Sequence, residues 1–112
     1  MIMGLFGFGK EEVADINETV KNREKDSILI DVREPDEYAE GHIPGSMNIP
    51  VGEIGSAELS FNKDAAVYVY CQTGMRASKA LRQLKKMGYT NVKNTGGILS
   101  YTGKVDKGEK KC

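Results

Sequence analysis

At 112 residues the chain fits one domain, because a length of about 100–150 residues suits a single core and leaves no material for a second. Sixteen Lys and Arg balance sixteen Asp and Glu, so no global charge draws the chain to nucleic acid or to an acidic membrane, and any anion preference must be local. Glycine, at 13 residues, is above the usual share of about 7%, which predicts many tight turns or a site lined by backbone.

Residues 1–10, MIMGLFGFGK, form an apolar tail without a basic region ahead of the apolar stretch or a small-residue cleavage pattern, and are read as neither signal nor anchor. They either pack on the domain or fray, or else offer a contact to a partner. The domain proper is expected over 11–103. Asp15 stands three residues before Glu18 like a capping box, and Val13, Ile16 and Val20 follow at helical spacing, so a short helix is predicted there. SILIDV (27–32) and AAVYVY (65–70) are compact runs without polar alternation, as expected of strands buried on both faces of a parallel sheet. Between them, Pro35 and Gly41 bracket a helix. The stretch HIPGSMNIPVG is rich enough in Pro and Gly to be read as loop, followed by a short helix over 53–60.

Ala77, Ala80, Leu81, Leu84 and Met87 mark the apolar side of a helix that ends at Gly88, with Lys79, Arg82, Lys85 and Lys86 on its solvent side. NVKNT (91–95) reads as the last strand, Gly96-Gly97 as a turn, GILSY as a stub of helix, and 104–112 as a solvated tail. Strands alternating with helices give an α/β domain, with a mainly parallel central sheet of about four or five strands and helices on both faces. No apolar run is long enough to span a membrane. Two cysteines, Cys71 and the last residue Cys112, are too few for a disulfide framework and fit a reducing cytoplasm.

Cys71 follows directly on the buried strand and is separated from the amphipathic helix only by Gln72, Thr73, Gly74, Met75 and Arg76. It therefore belongs at the carboxyl edge of the sheet, where ligands bind in α/β folds. A short loop there, with Gly74 free to take a positive φ, can turn successive N–H groups inward, and the helix dipole adds its positive end. Such a cradle favours the thiolate and makes Cys71 a candidate nucleophile, against the plainer reading of a small apolar residue ending a strand.

ILIDVREPDEYAEGHIPGSMNIP together with VYVYCQTGMRASKALRQLKKMGYTNVKNTGGILSY resembles the single-domain rhodaneses, a family of sulfurtransferases. The resemblance rests on DVRE at 31–34, EGHIPGS at 40–46, the C-x-x-G-x-R loop at 71–76 and Gly96-Gly97. It implies a rhodanese-like fold and a thiosulfate sulfurtransferase-like enzyme without metal or cofactor. In such an enzyme Cys71 takes a sulfane sulfur from thiosulfate, a persulfide or a polysulfide and passes it to a thiol or cyanide, with a small molecule or a protein as donor or acceptor.

On that reading Gln72, Thr73, Gly74, Met75 and Arg76 line the pocket, mostly through backbone amides. Arg76 either faces an anionic donor or locks the loop by pairing with a carboxylate such as Glu34 or Glu40. Asp31 and Arg33 form a structural pair beside the site, and His42, the only histidine, is expected to hydrogen-bond backbone rather than act as a base. Two departures from the family pattern stand out. Gln72 occupies a position where many members carry Arg, which weakens the case for a dianionic donor, and Tyr101 replaces a frequent Trp and is a candidate aromatic lid. Cys112 is either a resolving thiol or an incidental exposed one. Two alternatives compete: a sulfur-carrier or binding module serving a partner, and a Cys-x5-Arg phosphatase or arsenate reductase. The spacing disfavours the latter, since Arg76 comes one residue early and 77 is Ala.

Overall fold

A computed structural model of the chain describes residues 13–108; the apolar segment 1–10 and Cys112 lie outside them. In chain order the elements are α1 (Ile16–Asn22), β1 (Ile28–Asp31), α2 (Pro35–Glu40), β2 (Met47–Asn48), a 3-10 segment (Val51–Ser56), β3 (Val67–Cys71), α3 (Met75–Lys86), β4 (Val92–Gly97) and a second 3-10 turn (Ile98–Ser100). The four strands form one sheet in the order β2-β1-β3-β4, and every neighbouring pair is parallel. The α/β architecture with a parallel sheet is the expected one.

Both inner strands are covered on both sides, as their uninterrupted apolar sequences require. Successive side chains alternate between faces. Ile30, Val32, Val67, Val69 and Cys71 face a cluster with Ala77, Ala80, Leu81 and Leu84 of α3, while Leu29 and Tyr70 face the opposite cluster with Ile16 of α1. Cys71 is thus delivered to the α3 side by parity alone. Asp15 caps α1, its carboxylate accepting from the N–H groups of Asn17 and Glu18.

Three segments differ from the sequence expectation. Met47–Asn48 is a short edge strand inside the stretch read as loop; two residues between prolines carry no periodicity that a pattern could detect, and pairing with Ile30 and Asp31 defines them. The helix expected at 53–60 is a 3-10 segment over Val51–Ser56, entered from Pro50. Gly96-Gly97 is the end of β4 rather than a turn, with Gly97 opposite Cys71. A fourth observation concerns 102–108: these residues are exposed, yet Asp106 exchanges backbone hydrogen bonds with His42, and the Gly108 N–H donates to the Ala39 carbonyl.

Among the described glycines, Gly97 has the closest neighbouring backbone. A Cβ built there would lie 2.0 Å from the Gln72 carbonyl oxygen and 2.5 Å from Thr73 Cα. Gly97→Ala therefore cannot be accommodated by a side-chain shift. It is expected to lower stability by about 3 kcal/mol or more, at the upper end of overpacking costs, measured as a fall in the urea midpoint.

Candidate functional site

Cys71 ends β3 with 1% of its surface exposed. Its Sγ accepts hydrogen bonds from the backbone N–H of Gly74 at 3.0 Å and of Ala77 at 3.3 Å. Ala77 sits in the first turn of α3, where N–H groups have no intrahelical acceptor, so the sulfur takes up a donor that the helix leaves over. Gly74 immediately precedes the helix at φ 111°, ψ −15°, a left-handed conformation that turns its N–H back toward the sulfur.

The loop is held from beneath by β4. The Asn94 side chain donates to the Gly74 carbonyl at 3.3 Å and accepts from the Gly96 N–H at 2.7 Å. The Leu99 N–H donates to the Gln72 carbonyl at 3.3 Å. Thr73 is exposed and lines, with Asp15, Asn17, Thr95, Gly96 and Gly97, a cleft of ≈ 490 Å³ beside the loop. Two apolar side chains stand in solvent nearby in the chain: Met75 of the loop, at 79% exposure, and Leu99, whose backbone is bonded to Gln72, at 68%.

Arg76 is paired, and its partner is Glu37 rather than Glu34 or Glu40. Nη1 donates to Glu37 Oε1 and Nη2 to Oε2, at 2.6 and 3.0 Å, both side chains being about one-third exposed. Glu37 stands at the third position of α2, where its Oε1 also accepts from the Glu34 N–H at 2.9 Å. Cap geometry therefore aims the carboxylate across the site. The Arg76 hydrogen bonds hold the Glu37 carboxyl down to about 2, and Glu37 in turn raises Arg76.

Asp31 and Arg33 form a buried two-pronged pair at the end of β1, with Nε to Oδ1 at 3.0 Å and Nη2 to Oδ2 at 2.8 Å. Burial works against the Arg33 cation, and the bonds and charge of Asp31 outweigh it, so its pKa stands above the ordinary value. Arg33 spends its other donors on the Gly41 carbonyl at 2.7 Å and on Gln72 Oε1 at 3.3 Å, which ties the first loop side chain to the α2 terminus. His42 is buried, stacked on Tyr38 at 3.7 Å between ring centroids, with Nδ1 2.8 Å from the Tyr38 carbonyl. Tyr101 is not a lid over Cys71. It packs with the cluster on the opposite sheet face, and its hydroxyl donates to the Lys104 carbonyl. Among the described residues no group of three or more His, Cys, Asp or Glu side chains is placed to hold a metal ion.

Of the expected span Gln72–Arg76, Gly74 gives its N–H to the Cys71 sulfur, the other donor is Ala77 just beyond that span, and the Asp31–Arg33 pair stands behind Gln72. Glu37, Asn94 and the contact role of Gly97 escaped the sequence reading. Only Glu37 left a trace there, as a carboxylate three residues after Glu34 at a helix start.

The family model for the rhodanese-like domain matches residues 14–104. The chain belongs to the rhodanese-like domain family. Among the relatives of this rhodanese-like domain, the thiosulfate sulfurtransferase PspE of Escherichia coli is 41% identical over 71 residues, covering 62% of this chain and 68% of its own. An uncharacterised Bacillus subtilis protein, YqhL, is 41% identical over 78 residues, covering 69% of this chain and 62% of its own. A putative sulfur carrier of the same organism, YrkF, is 38% identical over 79 residues, 70% of this chain but only 43% of its own length. The chain thus spans less than two-thirds of these two Bacillus relatives. An Escherichia coli rhodanese solved with anions superimposes with a TM-score of 0.67 at 37% identity, covering 73% of this chain and 99% of its own.

Two outcomes are expected from the ion pairs. Asp31→Asn leaves Arg33 buried with half a partner, and should cost about 3 kcal/mol in a urea titration. The Glu37 carboxyl is lowered on folding, so its contribution is complete above its ordinary 4.5 and is lost as pH falls toward about 2. The stability gap between wild type and Glu37→Gln, about 1 kcal/mol at most for a part-exposed pair, should be open at neutral pH and close over that window.

Proposed function

We propose that this rhodanese-like domain is a sulfurtransferase that carries sulfane sulfur as a persulfide on Cys71. The observation that supports this most directly is the Cys71 sulfur itself, enclosed at the carboxyl edge of the sheet and accepting two backbone N–H bonds, from Gly74 and Ala77. Donors fixed in place before reaction stabilise an anionic sulfur without reorganisation, and they require no neighbouring base.

In the loading half-reaction the Cys71 thiolate attacks the outer sulfur of the donor. With thiosulfate, a Cys71 S–S bond forms, the donor S–S bond breaks, and sulfite leaves with its electron pair. In the second half-reaction a thiolate or cyanide attacks the outer sulfur of the persulfide, and the Cys71 thiolate is regenerated. Gln72–Arg76 surround the sulfur, with Gly74 and Ala77 as N–H donors. Asp31, Arg33 and His42 are positioning residues: the first two hold Gln72 and Gly41, and His42 holds the chain between α2 and β2.

A carrier that hands sulfur to one dedicated partner would use the same intermediate, and the putative sulfur carrier among the relatives keeps that reading in view. Acceptor turnover separates the two: a carrier loads once and releases slowly to small thiols, whereas a sulfurtransferase cycles.

The test is intact mass after incubating reduced full-length chain with thiosulfate and, separately, with polysulfide. One added sulfur atom is expected in wild type and Cys112→Ser, and none in Cys71→Ser. In Gly74→Val, whose native φ of 111° costs a β-branched residue about 1–3 kcal/mol of strain, loading should fall steeply. Loading that persists in Cys71→Ser, or absence of loading in every variant with both donors, overturns the proposal.

A further inference from the structure

Two guanidinium groups lie next to the Cys71 loop, and neither is free. Arg33 is committed to Asp31, the Gly41 carbonyl and Gln72 Oε1. Arg76, the loop's last residue, has both Nη atoms on the two oxygens of Glu37. The residue after the cysteine, Gln72, is uncharged and its side-chain Oε1 accepts from Arg33. The sulfur is served by backbone donors, while each neighbouring guanidinium faces a carboxylate of its own, with Glu34 adding a second negative charge near Arg76. The loop's own Met75, moreover, and Leu99, whose N–H bonds the Gln72 carbonyl, expose apolar side chains.

We infer that Glu37 is a specificity-determining residue: by occupying both prongs of the Arg76 guanidinium it keeps the loop's rim near neutral, directing the site to singly charged sulfur donors with an organic arm and away from doubly charged inorganic ones. The inference rests on Cys71 being the sulfur-accepting residue. Its physical basis is Coulombic. A dianion gains one more charge's worth of attraction from an unpaired cation than a monoanion does, a factor of about ten at a separation of roughly 12 Å and an effective dielectric of about 20, and it gains little from a paired one. Met75 and Leu99 offer an organic arm a contact that inorganic thiosulfate cannot use.

Thiosulfate and benzenethiosulfonate form a suitable pair of probes. Each gives up its outer sulfur to the Cys71 thiolate by breaking the same kind of S–S bond, with sulfite leaving in one case and benzenesulfinate in the other. They differ by one negative charge and by the aromatic arm. Glu37→Gln retains an oxygen for the Glu34 N–H while removing the charge that binds Arg76.

Second-order loading rates for both donors are read by rapid quench and intact mass on the full chain. The thiosulfate-to-thiosulfonate rate ratio should rise about tenfold in Glu37→Gln, and added salt should erase the rise. In the double variant Glu37→Gln/Arg76→Gln, where neither charge is present, the ratio should return to the wild-type value. Wild type itself should show no loss of thiosulfate loading with added salt, a measurement that needs no variant to fold. A ratio change below about threefold in Glu37→Gln, a ratio that stays high in the double variant, or a steep salt-dependent loss in wild type overturns the inference. Absence of loading by either donor in wild type is a different result: it removes the persulfide reading itself.

Discussion

The site depends on one contact between two backbones. The Gln72 carbonyl lies 2.0 Å from where a Cβ on residue 97 would stand, so the loop can rest on β4 only because that residue has no side chain. Everything that shapes the sulfur's surroundings follows from that resting place. With the loop low on β4, Asn94 reaches the Gly74 carbonyl, Gly74 adopts its left-handed turn, and α3 begins early enough for the Ala77 N–H to meet the sulfur. Hydrogen bonds in the loop are individually modest, each about 1 kcal/mol net. The close approach makes them mutually compatible, and geometry more than bond strength determines the arrangement.

A second constraint works at right angles to the first. Two ion pairs stand beside the loop with different burial. Asp31–Arg33 is enclosed and fixes a position, linking β1, the end of α2 and Gln72. Arg76–Glu37 is part-exposed and joins the start of α3 to the start of α2, so it affects the potential at the rim more than the stability of the fold. Both pairs leave the backbone N–H groups as the anion-facing donors around the sulfur.

Much of this was legible in the residues. The two uninterrupted apolar runs gave β1 and β3 because burial on both faces leaves no polar alternation, and the α3 stripe was readable from Ala77, Ala80, Leu81 and Leu84 because a 12-residue helix repeats its period three times. Cys71 was identifiable from position alone, at a strand end before a glycine-containing loop. What remained hidden was set by pairing rather than by local pattern. Met47–Asn48 is a strand only because Ile30 and Asp31 lie beside it. Gly96-Gly97 looked like a turn because glycine signals conformational freedom, whereas at Gly97 the requirement is space. Tyr101 was expected above the sulfur, yet it lies across the sheet with Ile16, Leu29 and Tyr70. The Arg76 partner was sought at Glu34 or Glu40; the capping box at the start of α2 selects Glu37 between them.

The pairing of β3 with β4 carries one further consequence. Between Val69 opposite Asn94 and Cys71 opposite Gly97, β3 advances two residues while β4 advances three. The strands are in phase below this point and out of phase above it, with the surplus residue taken up near Gly96 at φ 88°. The odd–even count along β4 is therefore reset just before the strand reaches the loop. Removing one residue here would not simply shorten the strand: regular pairing would keep Gly97 opposite Cys71 but erase the bulge, whereas a retained offset would bring Ile98, which has a side chain, into that place. Chain length at this point thus decides whether the bulge exists, and a gap placed at 95–96 when chains of this family are aligned denotes a different support beneath the loop, not a neutral deletion.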